Sequence, residues 1–301
     1  MLSRLFSTIS IWTLVAIALY FGGIHGGLAI LLLVSAAAHW EFSGMLLLCG
    51  AQLLHRRRGM TVALGVIFQL AVCASILEEK IPAKIYGNTD YRAELPGLFI
   101  GAIALVLLFI PDKLVSVFTK APTALSWLYI PCSIAPLGIL SASFWANGHD
   151  KSGMLLAVWL VGTVKFADCG ALLLGLSFGE KRHRMAPSIS PGKSWEGCAG
   201  ALIGAAAAGA GIAWLFTHFH GALGWQISPE RFNPAKAALL ALPLGILGIP
   251  SDLIESVFKR KASLKDSGKT IPGIGGAFDL LDSLVLTIPA GCLLFKFFVL
   301  N

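Results

Sequence analysis

Ala237-Ala238-Leu239-Leu240-Ala241-Leu242-Pro243-Leu244-Gly245-Ile246-Leu247-Gly248-Ile249-Pro250-Ser251-Asp252-Leu253-Ile254-Glu255-Ser256-Val257-Phe258-Lys259-Arg260 is the stretch that decides the fold. Its apolar run matches the ~20 residues needed to cross a bilayer as a helix. At its far end it carries two acids, and an ionisable group inside a membrane helix costs ~2.5–3.5 kcal/mol on insertion scales. On a helix, Asp252, Glu255, Ser256 and Lys259 fall at i, i+3, i+4 and i+7 and therefore share one side. Leu253, Ile254, Val257 and Phe258 occupy the others. An internal Glu255–Lys259 pair at i, i+4 accounts for part of this stripe, yet it leaves Asp252 without a partner. The stretch reads as a membrane helix with chemistry at one end.

The rest of the chain agrees. Its 301 residues are 56% hydrophobic and 13% charged, with a mean hydropathy of +0.78. That excludes a soluble enzyme, a nucleic-acid binder and a disordered scaffold, all of which need more polar surface. Nine apolar stretches are predicted to span, at about 9–24, 27–54, 60–77, 95–111, 124–146, 153–178, 195–217, 236–258 and 277–299. The N-terminal run is read as the first span and not as a cleaved leader. The expected fold class is all-α, a polytopic helical bundle forming one continuous membrane domain. Residues 1–150 form its N-terminal helices and residues 151–301 its C-terminal catalytic region.

Fifteen lysines and arginines fall on the N-terminus and the even-numbered loops, against six on the odd-numbered loops. The positive-inside bias then puts the N-terminus, the loop around Lys181 to Lys193 and the loop around Lys259 to Lys269 in the cytoplasm. Arg56, Arg57 and Arg58 read as a topology signal or an anchor for anionic lipid. The six cysteines show neither a CxxC pair nor histidines at ligand spacing and read as small hydrophobes. His39-Trp40-Glu41 reads as a packed or interfacial polar patch.

Acids are distributed unevenly. The second half places Asp168, Glu196, Asp252, Glu255, Asp279 and Asp282 in or beside apolar stretches, so chemistry or ion passage is expected there. After the stripe comes Lys265-Asp266-Ser267-Gly268-Lys269-Thr270-Ile271-Pro272-Gly273-Ile274-Gly275-Gly276. Its glycines let backbone N–H groups converge on an anion while its lysines neutralise it. Asp279 and Asp282 follow at i, i+3, and with Asp252 they offer hard oxygen ligands to Mg²⁺. A second cluster comprises Lys165 and Asp168, again i, i+3, and Ser190-Pro191-Gly192-Lys193-Ser194-Trp195-Glu196-Gly197. Gly192-Lys193-Ser194 is not a P-loop, because Pro187 stands where that motif needs glycine. Taken alone, Ser190 to Ser194 also fits a Pro-Gly turn into the next span, and Lys165–Asp168 a structural ion pair.

At these residues the chain resembles the CDP-diacylglycerol synthase, or phosphatidate cytidylyltransferase, family. The resemblance is carried by Ser256, Lys259, Arg260, Lys265, Asp266, Gly268, Pro272, Gly275, Gly276, Asp279 and Asp282 at the family's spacing, and by Lys165, Asp168, Gly170, Gly179 and the run from Ser190 to Gly197. It covers residues 153 to 285; the first half matches only in being helical membrane. Ile274 and Leu280 stand where the family pattern has His and Arg, and Leu172 where it commonly has Tyr.

The resemblance implies transfer of CMP from CTP to phosphatidate, with pyrophosphate released. It implies Mg²⁺ as cofactor, with a second cation left open, held by Asp252 and Asp279 with Asp282 or Ser190 as a further ligand. Lys193, Lys259, Arg260 and Lys265 are implied as phosphate contacts and Asp266 as a further catalytic position. Ser190, Gly192, Ser256, Gly268, Gly275 and Gly276 are implied to line the nucleotide site, with Lys165, Asp168, Glu196 and Glu255 ordering it. Expected partners are CTP, phosphatidate and membrane lipids, with no nucleic acid; a homodimer is left open. Two rivals remain: a related enzyme acting on another lipid phosphate or lipid alcohol, and an ion-coupled transporter, for which intramembrane acids are also characteristic.

Overall fold

A computed structural model describes residues 2–77, 110–142, 151–179 and 183–300. The helices are α1 (Leu2–Leu48), α2 (Arg58–Leu77), α3 (Pro111–Lys120), α4 (Pro122–Tyr129), α5 (Pro131–Ala142), α6 (Ser152–Ser177), α7 (Trp195–His218), α8 (His220–Leu223), α9 (Pro234–Lys261), α10 (Ala277–Leu281) and α11 (Leu284–Phe295). A two-stranded antiparallel hairpin, β1 (Arg184–Ala186) and β2 (Ser190–Ser194), precedes α7. The fold is therefore the all-α polytopic bundle expected, with one small hairpin added.

Six stretches among the described residues are long and apolar enough to cross a membrane, namely Phe6–Leu48, Pro122–Ala142, Ser152–Ser177, Trp195–His218, Pro234–Lys261 and Ala277–Leu300. Arg58–Ala74 is apolar but shorter. At 1.5 Å per residue a straight α1 would far exceed the ~30 Å hydrocarbon core. It is broken at Gly23, whose φ of 52° and ψ of −132° are not helical, a backbone state that glycine adopts without a Cβ clash. The bend brings Gly26 against the Ala18 carbonyl and Gly27 against Leu19. The expected spans at 9–24 and 27–54 thus share one element with a sharp reversal. The expected span at 95–111 lies almost wholly outside the described residues.

Helices α6 and α7 pack along one another, and α7 packs on α9. The contact is made by small residues, as is usual where close van der Waals packing replaces a hydrophobic drive in lipid. A Cβ on Gly200 would overlap the Gly170 carbonyl and Leu174, whereas one on Gly211 would meet nothing within 4 Å. Gly200→Ala should therefore destabilise the protein by about 1–3 kcal/mol through overpacking. Gly211→Ala should be neutral or slightly stabilising, since alanine is the better helix former. Thermal unfolding in detergent checks both; equal midpoints would remove this contact from the packing that holds α6 to α7.

The core joins the two halves of the chain. Phe42 of α1 lies with its ring centroid 5.1 Å from each of Tyr129, Phe258 and Phe278, and 5.9 Å from Phe118. All five are buried. This cluster sets the end of α1 against the ends of α9 and α10, where the polar residues lie.

Candidate active site

The polar stripe of α9 forms as its spacing predicts. Ser256 Oγ is 3.4 Å from Asp252 Oδ1, and Lys259 Nζ is 2.9 Å from Glu255 Oε2. The last span is interrupted beside it by a two-residue turn whose backbone stays in the helical region. Helix α10 stops at Leu281 and α11 starts at Leu284, leaving Asp282 and Ser283 at the break. A broken helix in a membrane must re-satisfy its backbone groups locally. Ser251 Oγ donates to the Asp282 carbonyl, and the Leu286 N–H lies 3.4 Å from Ser251 Oγ. Asp282, in this turn, lies against the stripe. Asp252, Glu255 and Asp282 each place an oxygen within 4.8 Å of the others.

Each acid of this centre has a lysine. Lys193 Nζ lies 2.9 Å from Asp252 Oδ2 and 2.9 Å from the Ile249 carbonyl. Lys165 Nζ reaches Asp282 at 3.1 Å, Asp168 at 3.3 Å and Ser283 Oγ at 2.9 Å. Ser283 Oγ in turn donates to Asp168 at 2.7 Å. Lys259 bridges Glu255 and Asp279, the latter at 3.0 Å. Asp168, Asp252, Glu255, Asp279 and Asp282 against Lys165, Lys193 and Lys259 leave two formal negative charges.

The residues present fit a divalent cation. Glu255 is wholly buried, and neither of its oxygens accepts a hydrogen bond among the described residues. Lys259 compensates its charge at ion-pair distance without hydrogen-bonding geometry. A buried carboxylate left in this state is costly, and three converging carboxylate oxygens are the donor set a hard cation takes. Glu255 thus belongs with Asp252 and Asp282, although the sequence points only to a role in ordering the site.

Asp279 serves a different contact set. Besides Lys259, it accepts the Gly276 N–H at 2.7 Å and the Ser267 N–H at 2.9 Å, anchoring the glycine-rich loop to the start of α10. Gly275, with φ of 129°, turns the chain into that anchor, and the Ile271–Gly275 bridge closes the loop. Lys265, Asp266 and Lys269 are exposed on the loop.

Ser190 to Ser194 is a strand and not a turn into α7. The turn lies at 187–189, closed by the Ile189 N–H to the Ala186 carbonyl at 3.2 Å. Ser194 then caps α7 by accepting the Gly197 N–H at 3.1 Å. The hairpin directs Lys193 inward to Asp252 and leaves Gly192 exposed. Glu196 is not brought to the acid centre: it accepts from the His183 backbone N–H at 3.0 Å and lies 2.6 Å from its Nδ1, which clamps the hairpin. Arg260 binds the Ile189 carbonyl at 3.3 Å and the Leu264 carbonyl at 3.2 Å, tying hairpin to loop. Leu172, at the departure nearest Asp168, is exposed.

The residue that sequence reasoning missed is Glu41. Its carboxylate accepts from Ser267 Oγ, Thr270 Oγ1 and the Phe278 N–H. A buried acid in the first half was the available signal, but nothing in the spacing of His39, Trp40 and Glu41 ties it to a loop more than 220 residues away.

Fold and site together define a polytopic membrane protein with an acid–lysine centre at a broken helix, beside a glycine-rich loop. The sequence model of the Cytidylyltransferase family matches residues 2–298, and the chain belongs to that family. It is 34% identical over 201 residues to a phosphatidate cytidylyltransferase of Haemophilus influenzae, covering 66% of each chain. It is 37% identical over 172 residues to one of Chlamydia pneumoniae, covering 56% of this chain and 51% of the relative. Against one of Staphylococcus haemolyticus it is 30% identical over 217 residues, covering 65% and 77%. The chain spans about half to two thirds of the length of the first two.

Proposed function

We propose that the protein is a phosphatidate cytidylyltransferase. A phosphate oxygen of phosphatidate attacks the α-phosphorus of CTP, the bond from that phosphorus to the bridging oxygen of the β-phosphate breaks, and CDP-diacylglycerol and pyrophosphate leave. The observation that carries this reading is the centre of five carboxylates and three lysines at the end of α9, set beside a loop with exposed lysines. Two anions must approach one another, so the site's work is positioning and charge neutralisation. Lys265 is exposed and open to phosphate oxygens, whereas Lys193, Lys259 and Arg260 would meet them by exchanging the carboxylate and carbonyl partners they hold here. A general base is not required, because a phosphate monoester already carries about −1.5 to −2 charge at neutral pH.

Asp252, Glu255 and Asp282 would hold Mg²⁺, with Asp279 fixing the loop beside them. When bound, the cation supplies neutralisation of the triphosphate and of the leaving pyrophosphate. The lysine and arginine bias among the loops supports a cytoplasmic N-terminus and a site facing the cytoplasm, with the protein in the cytoplasmic (inner) membrane. Purified protein given labelled CTP, Mg²⁺ and phosphatidate in detergent should form a labelled CDP-lipid and pyrophosphate in equal amounts. In sealed membrane vesicles, externally added CTP should be consumed by inside-out vesicles only. Absence of CDP-lipid with phosphatidate, together with product from another lipid phosphate, would replace the substrate; ion flux without product would replace the enzyme reading.

A further inference from the structure

We propose that Glu41, in the N-terminal half, is a positioning residue that holds the loop 264–276 in the geometry that receives the triphosphate; this rests on the nucleotidyl-transfer reading above. The Glu41 residue is 9% exposed. Its Oε2 accepts from Ser267 Oγ at 3.0 Å and from the Phe278 N–H at 2.9 Å, and its Oε1 from Thr270 Oγ1 at 2.9 Å. One carboxylate thus ties the middle of the loop to the first turn of α10. Hydrogen bonds to an ionised acceptor are roughly twice as strong as neutral ones, and these three donors are all neutral. The anion therefore fastens the loop without engaging its lysines, and exposed Lys265 and Lys269 remain turned to solvent.

The fit is close. A Cβ on Gly268 would fall on the Glu41 carboxylate, and one on Gly276 would meet both that carboxylate and Ser267 Oγ. Asp279 grips the same loop from the other side, through the Ser267 and Gly276 N–H groups. Ser267 is held twice, by its backbone to Asp279 and by its hydroxyl to Glu41. The neighbouring Phe42 is locked between Phe258 and Phe278, which fixes the end of α1 relative to both walls of the site. Ser7 Oγ, donating to the Pro272 carbonyl at 2.6 Å, is a second contact from the N-terminal helix to this loop.

The test uses the full chain in detergent. Glu41→Ala should raise KM for CTP at least about tenfold and lower kcat/KM about 100-fold, the scale of loss from an ångström of misplacement. Glu41→Gln keeps a carbonyl oxygen for Ser267 and Phe278 and an amide for Thr270 Oγ1, so it should recover most of that loss. In a double-mutant cycle, Ser267→Ala should add little to Glu41→Ala, because the loop is already released. Amide hydrogen exchange should quicken over 264–278 in Glu41→Ala and stay unchanged over Ser152–Ser177. Unchanged KM and exchange would overturn the proposal, as would a uniform rise in exchange with equal losses for Ala and Gln, the signature of general destabilisation. If the unaltered protein forms no CDP-lipid, the transfer reading falls, and exchange at 264–278 alone decides whether Glu41 holds the loop.

Discussion

Asp252→Asn should lower CDP-lipid formation by about three orders of magnitude or more while leaving the protein folded. The substitution keeps the size of the side chain and an oxygen for Lys193, but removes one of the three carboxylates of the centre formed with Glu255 and Asp282, which are proposed to hold the cation. Cation-borne charge stabilisation is worth several kcal/mol, and each ~1.4 kcal/mol is tenfold in rate. From the sequence alone the variant is expected to be as stable as its parent or slightly more so, because carboxylate repulsion falls. The structure adds a loss, since the Lys193 ammonium gives up an ion pair at 2.9 Å. The two effects oppose, and the unfolding midpoint should move little. Initial rates across a Mg²⁺ titration, with thermal unfolding of the same preparation, check both parts. Near-parental turnover at saturating Mg²⁺ would remove Asp252 from the cation site.

Lys259→Met should fail in the opposite way, losing stability together with activity. Lys259 compensates Glu255, which is wholly buried, and Asp279, whose side chain is 7% exposed. Removing one partner of a buried ion pair costs about 3–5 kcal/mol, because the remaining charge has neither water nor a counter-ion. Adding Glu255→Gln to Lys259→Met should restore much of the unfolding midpoint and none of the turnover. Turnover would stay lost because the proposed phosphate contact and the proposed cation ligand would both be missing. An unfolding midpoint equal to the parent's for Lys259→Met alone would show that Glu255 is not held as an anion in the resting protein.

What was legible in the sequence is what a single helix encodes. Asp252, Glu255, Ser256 and Lys259 meet as their 3.6-residue period requires, and Lys165 meets Asp168 one turn away. The apolar runs likewise announce the helices, because burial in lipid leaves a compositional mark. Contacts between helices leave no such mark. Lys165 with Asp282, 117 residues apart, and Lys193 with Asp252 come together only through the break after α10 and the hairpin before α7. The interruption itself, at Asp282 and Ser283, contains neither proline nor glycine. Asp279 and Asp282, equivalent by spacing, part company because the first faces the loop's N–H groups and the second faces Lys165.

The loop contacts of Ser7 and Glu41 also fix the order in which the molecule can be made. Partners 226 to 265 positions apart in the chain cannot meet until the loop itself has left the ribosome. Contacts of such long range are slow to form, because the intervening chain must be ordered first. Helix α1 is therefore synthesised early and waits with a buried-to-be carboxylate uncapped, while the loop that satisfies it emerges more than 220 residues later. A ribosome halted before Ala277 would leave the loop's lysines synthesised and the Phe278 N–H that completes the Glu41 clasp still absent. Maturation of the site is thus tied to synthesis of the first turn of α10.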